Sequence, residues 1–591
     1  MTPRNLILSR IDGSFDPARD IAAGPWCFVG NEDVVEDWEN LPFTDPFPDR
    51  SSLIQADAST RRLANHIAVS WTEKMNKEHG RDYSVAFWRN NLILWILCVT
   101  QAAWKCYRNL ELLMERHGKD ALSVRILEND PEWSIATFSE CMDLLKLDAN
   151  FNYWLNGRLL RRIAPKNWTL EPVSDKPISK TSSTNMAPHA LGGQKRNRLK
   201  ARIGRLGFDH VLGTKYSRPF FALLINLLPR RRAESRPFVV DNAVLDEFPQ
   251  AFVNILMELL EATCPATFGE GFRALEKEAK GIPYSFGRLT ITHAGTVDAK
   301  LQMINAFAVE AGERLVGFQH GGVYGTAQAI PWPAESEYTH HAFMTWGWTE
   351  QGDYPCKMVP LPSPELSRIR NKHRFKTADL VFVGHQMYVQ NGRIDSGPSP
   401  KKCLSYRRKK KTFIENLDRK PTESLEYRPY SRAVQLLEEE SFLERHFPGL
   451  RVFLGHLESK ILGCRLLVLD HPGTTLHQAM AANVPLVCYW DRDEWPCCPE
   501  AENAFEPLRR CGILFDNPAD AARHINTIWG DVPGWWNDES VQEARRTWAE
   551  SYARTSPVWW WHWARALLEL SGKRGSIAPA LNQTAKSALS R

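Results

Sequence analysis

None of the twelve cysteines stands in a C-x-x-C pair, and their spacing follows no framework. That removes the zinc-ribbon and dithiol-redox classes and leaves free thiols in or near cores. Long apolar runs are missing too. The best, Leu92 to Val99 extended to Trp104, is broken by Thr100 and Gln101 and falls short of the roughly 20 residues that cross a bilayer. The first residues mix charges with a short strand-like stretch, Asn5 to Ser9, so no signal peptide is expected and the expected compartment is cytoplasmic. Net charge is slight, +5 over 591 residues, and no fixed period repeats along the chain. Tryptophan, by contrast, is abundant: 22 residues predict broad aromatic packing or stacking surfaces. With 43% apolar and 24% charged residues, the chain reads as a soluble globular protein of two or more domains.

The pattern changes along the chain. Residues 1–165 show short strands at Asn5 to Ser9 and Trp26 to Val29, then long amphipathic helices, notably Val85 to His117. Residues 166–236 are Ser/Thr/Gly-containing and basic, as expected of a linker or insertion. From 237 strand and helix alternate, with strands at Phe238 to Val240, Leu289 to Thr292, Arg314 to Phe318 and Ala342 to Trp346. A second series follows the proline-rich link Pro355 to Pro364. Its strands are Leu380 to Val383, Ser424 to Arg428, Val452 to Leu454, Leu466 to Leu469 and Pro485 to Tyr489. Residues 543–570 read as one closing helix and 571–591 as a disordered tail.

Two turns carry the chemistry. Gln319-His320-Gly321-Gly322-Val323-Tyr324-Gly325 and Asp470-His471-Pro472-Gly473-Thr474-Thr475 each end a strand-like run. In an open parallel sheet, ligands sit beyond the carboxyl ends of the strands, where small residues and a helix N-terminus can approach an anion. Two such turns imply two sheets facing one cleft. Gly473 lets the backbone come close, and the hydroxyls of Thr474 and Thr475 either bind phosphate oxygens or simply cap the helix. His320 can act as a general base on a hydroxyl, or can order its own turn. Tyr324 stacks on a ligand or packs. Arg428 ends a strand and offers a forked contact to phosphate, with a plain surface arginine as the other reading. His385 and His456 also end strands and would line the same cleft. Asp491-Arg492-Asp493 is too short a match to carry a metal site, and Cys497-Cys498 lacks zinc spacing. The basic runs Lys195 to Arg205 and Lys401 to Lys411 read first as solvated faces, with anionic lipid or nucleic acid as the alternative. Tyr216 to Arg232, apolar with basic ends, is either a core helix or a membrane-interface segment.

Asp470 to Tyr489, DHPGTTLHQAMAANVPLVCY, resembles the donor-nucleotide segment of GT-B glycosyltransferases. With QHGGVYG, Trp535-Trp536 and Tyr552-Ala553-Arg554-Thr555-Ser556, residues 237–556 are similar to a transferase family encoded in bacterial O-antigen and surface-polysaccharide loci. Pro25-Trp26-Cys27 and Phe87-Trp88-Arg89 extend the resemblance over most of the chain. The His320 turn resembles the QHG or WHG turn of glycerol-phosphate and octulosonic-sugar transferases. Many GT-B donor helices carry Glu where this chain has Gln478, which would take a ribose hydroxyl through its amide oxygen.

The resemblance implies an α/β, GT-B-like fold in which two Rossmann-like domains, 237–365 on the acceptor side and 366–542 on the donor-nucleotide side, face a cleft below a helical N-terminal elaboration. It implies a sugar moved from a nucleotide-sugar donor to an O-antigen-type surface polysaccharide or lipid-linked glycan. His320 would be catalytic; Arg428, Gly473, Thr474, Thr475 and Gln478 would hold the donor; Gln319, Gly321, Gly322, Tyr324, His385 and His456 would line the cleft. Neither metal nor cofactor is expected, the nucleotide sugar being a substrate, and no nucleic-acid partner; peripheral contact with the cytoplasmic face of the inner membrane stays open. The alternatives are a nucleotide-sugar epimerase, a polyol-phosphate transferase, and a non-catalytic glycan-binding or export-associated protein.

Overall fold

The computed structural model describes residues 4–11, 15–33, 35–131, 133–174, 242–281, 289–292, 298–349, 352, 354–385, 390, 392–430 and 439–572. The segments Lys195 to Arg205, Tyr216 to Arg232 and Phe238 to Val240, and the tail past 572, lie outside them.

Among the described residues three sheets form, every strand pair in them parallel. The first runs β2-β1-β3-β4, with β1 Arg4–Ile7, β2 Asp20–Ala22, β3 Leu122–Leu127 and β4 Trp168–Val173. Six residues of β4 pair in register with β3, so the stretch expected to open a linker at 166 begins instead as a strand. Trp26 to Val29, expected as a strand, is a buried 3-10 turn over Pro25–Phe28. Pro25 fits its first position, where no amide is needed, and the Trp26 indole donates to the Leu8 carbonyl at 3.0 Å.

Two long helices cover this part. Arg50–His79 starts on a capping box between Asp49 and Ser52 and stops at Gly80, φ +61°. Val85–His117 starts on the Ser84 hydroxyl, which accepts from the Phe87 amide. Its middle is buried on nearly every side, from Leu92 to Ala103, which explains an apolar run too short for a bilayer: it is the core of a large domain. Among the described residues no helix is long and apolar enough to cross a membrane.

The second sheet is ordered β5-β6-β7-β8: β5 Leu289–Ile291, β6 Arg314–Phe318, β7 Ala342–Thr345, β8 Lys357–Pro360. The third is β11-β10-β9-β12-β13-β14: β9 Leu380–Val383, β10 Leu425–Arg428, β11 Arg451–Val452, β12 Leu466–Leu469, β13 Leu486–Tyr489, β14 Leu514–Phe515. Strands β6, β7, β9, β12 and β13 are buried at every position. That is the signature of parallel strands covered on both faces and the reason their sequences read as unbroken apolar runs.

The expected single closing helix is two, Glu539–Tyr552 and Trp559–Gly572. Pro557 lies in the break and has no amide to continue a helix. The break docks on the second sheet: the Arg554 amide donates to the Trp346 carbonyl at 2.9 Å, and the Ser363 amide to the Arg554 carbonyl at 2.8 Å. Trp563, Leu567 and Leu570 then pack over Val316, Phe318 and Met344, so the Trp559–Gly572 helix lies against the sheet that carries the His320 turn.

Candidate active site

The third sheet reverses its order between β9 and β12. From β9 the chain steps outward through β10 to β11; from β12 it steps the other way through β13 to β14. A crevice opens beyond the carboxyl ends of two such strands, and ligands of open α/β sheets bind there. Here β9 leads into Gly384-His385 and β12 into Asp470-His471. The two imidazole rings lie 4.6 Å apart, Trp495 stands edge-on to His385 at 4.9 Å, and the exposed ring of Tyr430 is 5.7 Å from His385.

Beneath the rings lies a buried charge cluster. Asp470 Oδ1 is 2.9 Å from His471 Nδ1 and Asp470 Oδ2 is 3.4 Å from Lys410 Nζ. Lys410 also pairs with Glu439, and the Tyr427 hydroxyl donates to Glu439 at 2.7 Å. Burial works to raise the Asp470 carboxyl, but the Lys410 charge and the His471 hydrogen bond outweigh it and hold it below its ordinary range. For His385, burial first and the His471 charge second push the imidazole well below its usual range, so it stands neutral. With Asp470 on Nδ1, His471 presents Nε2 on its other side. A Cβ at Gly473 would lie 2.6 Å from His471 Cδ2 and Nε2, so a side chain there would push that ring out of place.

His471, Lys410 and Glu439 were not singled out from the sequence. For His471 the signal was present, a histidine directly after the acidic end of a buried strand. For Lys410 it was misleading. The run at 401–411 was read as a solvated face, yet it lies on the Pro400–Glu415 helix with Arg407 and Lys410 fully buried. Arg407 Nη1 reaches Glu32 Oε2 at 2.7 Å, and Arg407 also pairs with Glu39. The acidic partners come from three distant parts of the chain, which no local pattern shows. Asp491 of the D-x-D triplet pairs with Lys409 at 2.8 Å. All twelve cysteines are free, ten buried and two half-buried.

The His320 turn faces this crevice from the second sheet. Gln319 is buried; its Oε1 accepts from the Trp346 amide at 2.9 Å and the Trp348 indole at 2.8 Å, and its Nε2 donates to the Gly321 carbonyl at 2.9 Å. It therefore braces the turn. The His320 side chain is about one third exposed, and its Nε2 lies 2.6 Å from the Tyr324 hydroxyl, which is 2.8 Å from Glu337 Oε1. The Gly322 amide donates across to Thr474 Oγ1 at 2.9 Å, so the two turns singled out in the sequence touch. Further on, the Cys498 amide donates to the Thr326 carbonyl at 2.8 Å and the Gln328 amide to the Pro496 carbonyl at 3.1 Å. Gly325, at φ +75° against the Trp348 indole, makes the bend that permits this stitching.

The remaining candidates separate. Gly473 is the N-cap of the Thr474–Ala482 helix, Thr474 is exposed, Thr475 is buried at its first turn and Gln478 half-buried on its second. Arg428 ends β10, one strand out from β9, half-buried, its Nη1 donating to the Phe453 carbonyl at 3.1 Å. His456 instead caps the short Leu457–Ile461 helix, its Nδ1 accepting from the Ser459 amide at 3.3 Å. The site thus sets a turn whose exposed imidazole is backed by a hydroxyl and a carboxylate against the helix start that follows the tilted His385 and His471 rings.

A family model, described as LIC12162 family transferase, matches residues 4–567, and the chain belongs to that family of transferases. No curated protein matches the chain. Among solved structures it is similar to an O-GlcNAc transferase mutant from Thermobaculum terrenum, at 14% identity and TM-score 0.28, over 54% of this chain and 60% of that one. It is also similar to WaaG, a glycosyltransferase involved in lipopolysaccharide biosynthesis (12%, 0.28, over 51% of this chain and 96% of that one). The spinosyn forosaminyltransferase SpnP is a third (12%, 0.26, over 83% and 97%). Likenesses of this size carry no argument about the chemistry of this chain.

Proposed function

We propose that this transferase is a glycosyltransferase of GT-B type that moves a sugar from a nucleotide-sugar donor to a hydroxyl of a surface glycan or lipid-linked glycan. The observation that carries the reading is the direct contact between the His320 turn and the Gly473–Thr474 turn beside the β9/β12 reversal. It sets a candidate base from one parallel sheet against an anion-binding helix start of another. In this reading the nucleotide lies along the crevice beside His385, Tyr430 and His471, with Gln478 toward its ribose and Arg428 toward its phosphates. His320 takes the proton of the acceptor hydroxyl as that oxygen bonds to the anomeric carbon and the bond to the phosphate oxygen breaks. The charge leaving on the phosphate is met by the amides at Gly473–Thr475 and by Arg428. The acceptor class rests on the sequence resemblance to surface-polysaccharide transferases. His320→Ala should abolish release of nucleotide from a panel of nucleotide sugars mixed with lipid-linked glycan, with the fold intact by circular dichroism; full turnover in that variant would remove the base from the scheme.

A further inference from the structure

Tyr324 stands between two groups that compete for one proton. Its hydroxyl is 2.8 Å from Glu337 Oε1 and 2.6 Å from His320 Nε2, and a phenol has a single proton to give. Burial first, and then the Glu337 charge, push that hydroxyl well above its ordinary range, so it remains a neutral donor. Both Tyr324 and Glu337 are buried, and the Tyr324 ring stacks on Phe343 at 5.5 Å, so the arrangement is held by the core and not by solvent. Tyr338 and Arg393 also act on Tyr324 through their charge, in opposite directions, but the hydroxyl's donated bond is the one to Glu337.

A carboxylate only accepts. The Tyr324 proton therefore goes to Glu337, and the tyrosine oxygen is left to accept from the imidazole. We propose that Glu337, acting through Tyr324, holds His320 as the Nε2–H tautomer and so makes Nδ1 its basic atom. Glu337 and Tyr324 are positioning residues: they choose which face of the imidazole can take a proton. The inference rests on reading His320 as the base only for its functional meaning, because the tautomer itself can be measured without turnover.

The test uses the full chain and diethyl pyrocarbonate, which modifies an imidazole through its lone pair, with His320 peptides followed by mass spectrometry. In Glu337→Met the carboxylate is gone and the Tyr324 proton turns to Nε2, tying up that lone pair and leaving the proton on Nδ1. Modification of His320 should slow about tenfold, and Tyr324→Phe added to that variant should restore it. An unchanged rate in Glu337→Met, or no restoration in the double variant, would overturn the proposal. Should Glu337→Met fail to fold, Tyr324→Phe alone serves, since it deletes one oxygen. The wild type should be modified at Nδ1 and this variant also at Nε2, read as two chromatographically resolved isomers. Modification of the wild type at Nε2 would refute the assignment. An active His320→Ala variant would sink the base and leave the tautomer result standing.

Discussion

Gly322→Ala is the sharpest steric probe of the contact between the two turns. A Cβ at Gly322 would lie 2.4 Å from both the Gly473 carbonyl carbon and the Thr474 amide nitrogen and 2.9 Å from the Gly473 oxygen. These are backbone atoms of a helix start and cannot rotate away. Restoring an ordinary separation requires the turns to part by about 1 Å, enough to break the Gly322–Thr474 hydrogen bond, and overpacking of this kind costs about 1–3 kcal/mol. A 1 Å misplacement of reacting groups is worth about a hundredfold in rate. Gly321→Ala is the internal control, because its Cβ would meet only Thr474 Oγ1 at 3.7 Å and Tyr324 Cε2 at 3.9 Å, ordinary contacts. Thermal unfolding and nucleotide-release rates of the two variants should therefore differ, Gly322→Ala losing a few degrees and about two orders of magnitude in rate while Gly321→Ala stays near wild type. Equal behaviour of the two would refute the view that these turns are in working contact.

Two further outcomes follow from the charge clusters. Hydrogen bonding from Arg81 is the main cause that lowers the Glu276 carboxyl from 4.5 to about 2, against burial that would raise it. Its folded form binds the proton less readily than the unfolded one, so about 2–3 kcal/mol of stability present above pH 4.5 should be lost as pH falls toward 2, and Arg81→Met should flatten that limb of an acid-unfolding curve. Arg407→Met leaves Glu32 and Glu39 without their buried partner and should cost about 3–5 kcal/mol by urea unfolding, whereas breaking the exposed pair of Arg419 with Glu423 should leave the unfolding midpoint nearly unchanged.

The parallel strands were legible because a strand buried on both faces is apolar along most of its length. Leu380 to Val383, Arg314 to Phe318 and Leu466 to Leu469 are found with the bounds their sequence predicts, and so is the Val85–His117 helix. The Pro25–Phe28 turn was not, since a short apolar run has no period to separate turn from strand. The two turns of the site could be found because glycine and histidine after a strand leave a local mark. Glu337 left none: its meaning comes from Tyr324, thirteen residues earlier, which only folding brings to it. Gln319 lies in the predicted turn yet braces Trp346 and Trp348, a role set by tertiary contacts.

The most direct test of the central claim is calorimetric titration of the full chain with UDP, GDP, dTDP, CDP and CMP, repeated on Arg428→Ala and Thr474→Ala. The account predicts saturable binding of one nucleotide, weakened in both variants; binding of none of the five would contradict a nucleotide-sugar donor and return the crevice to a non-catalytic role.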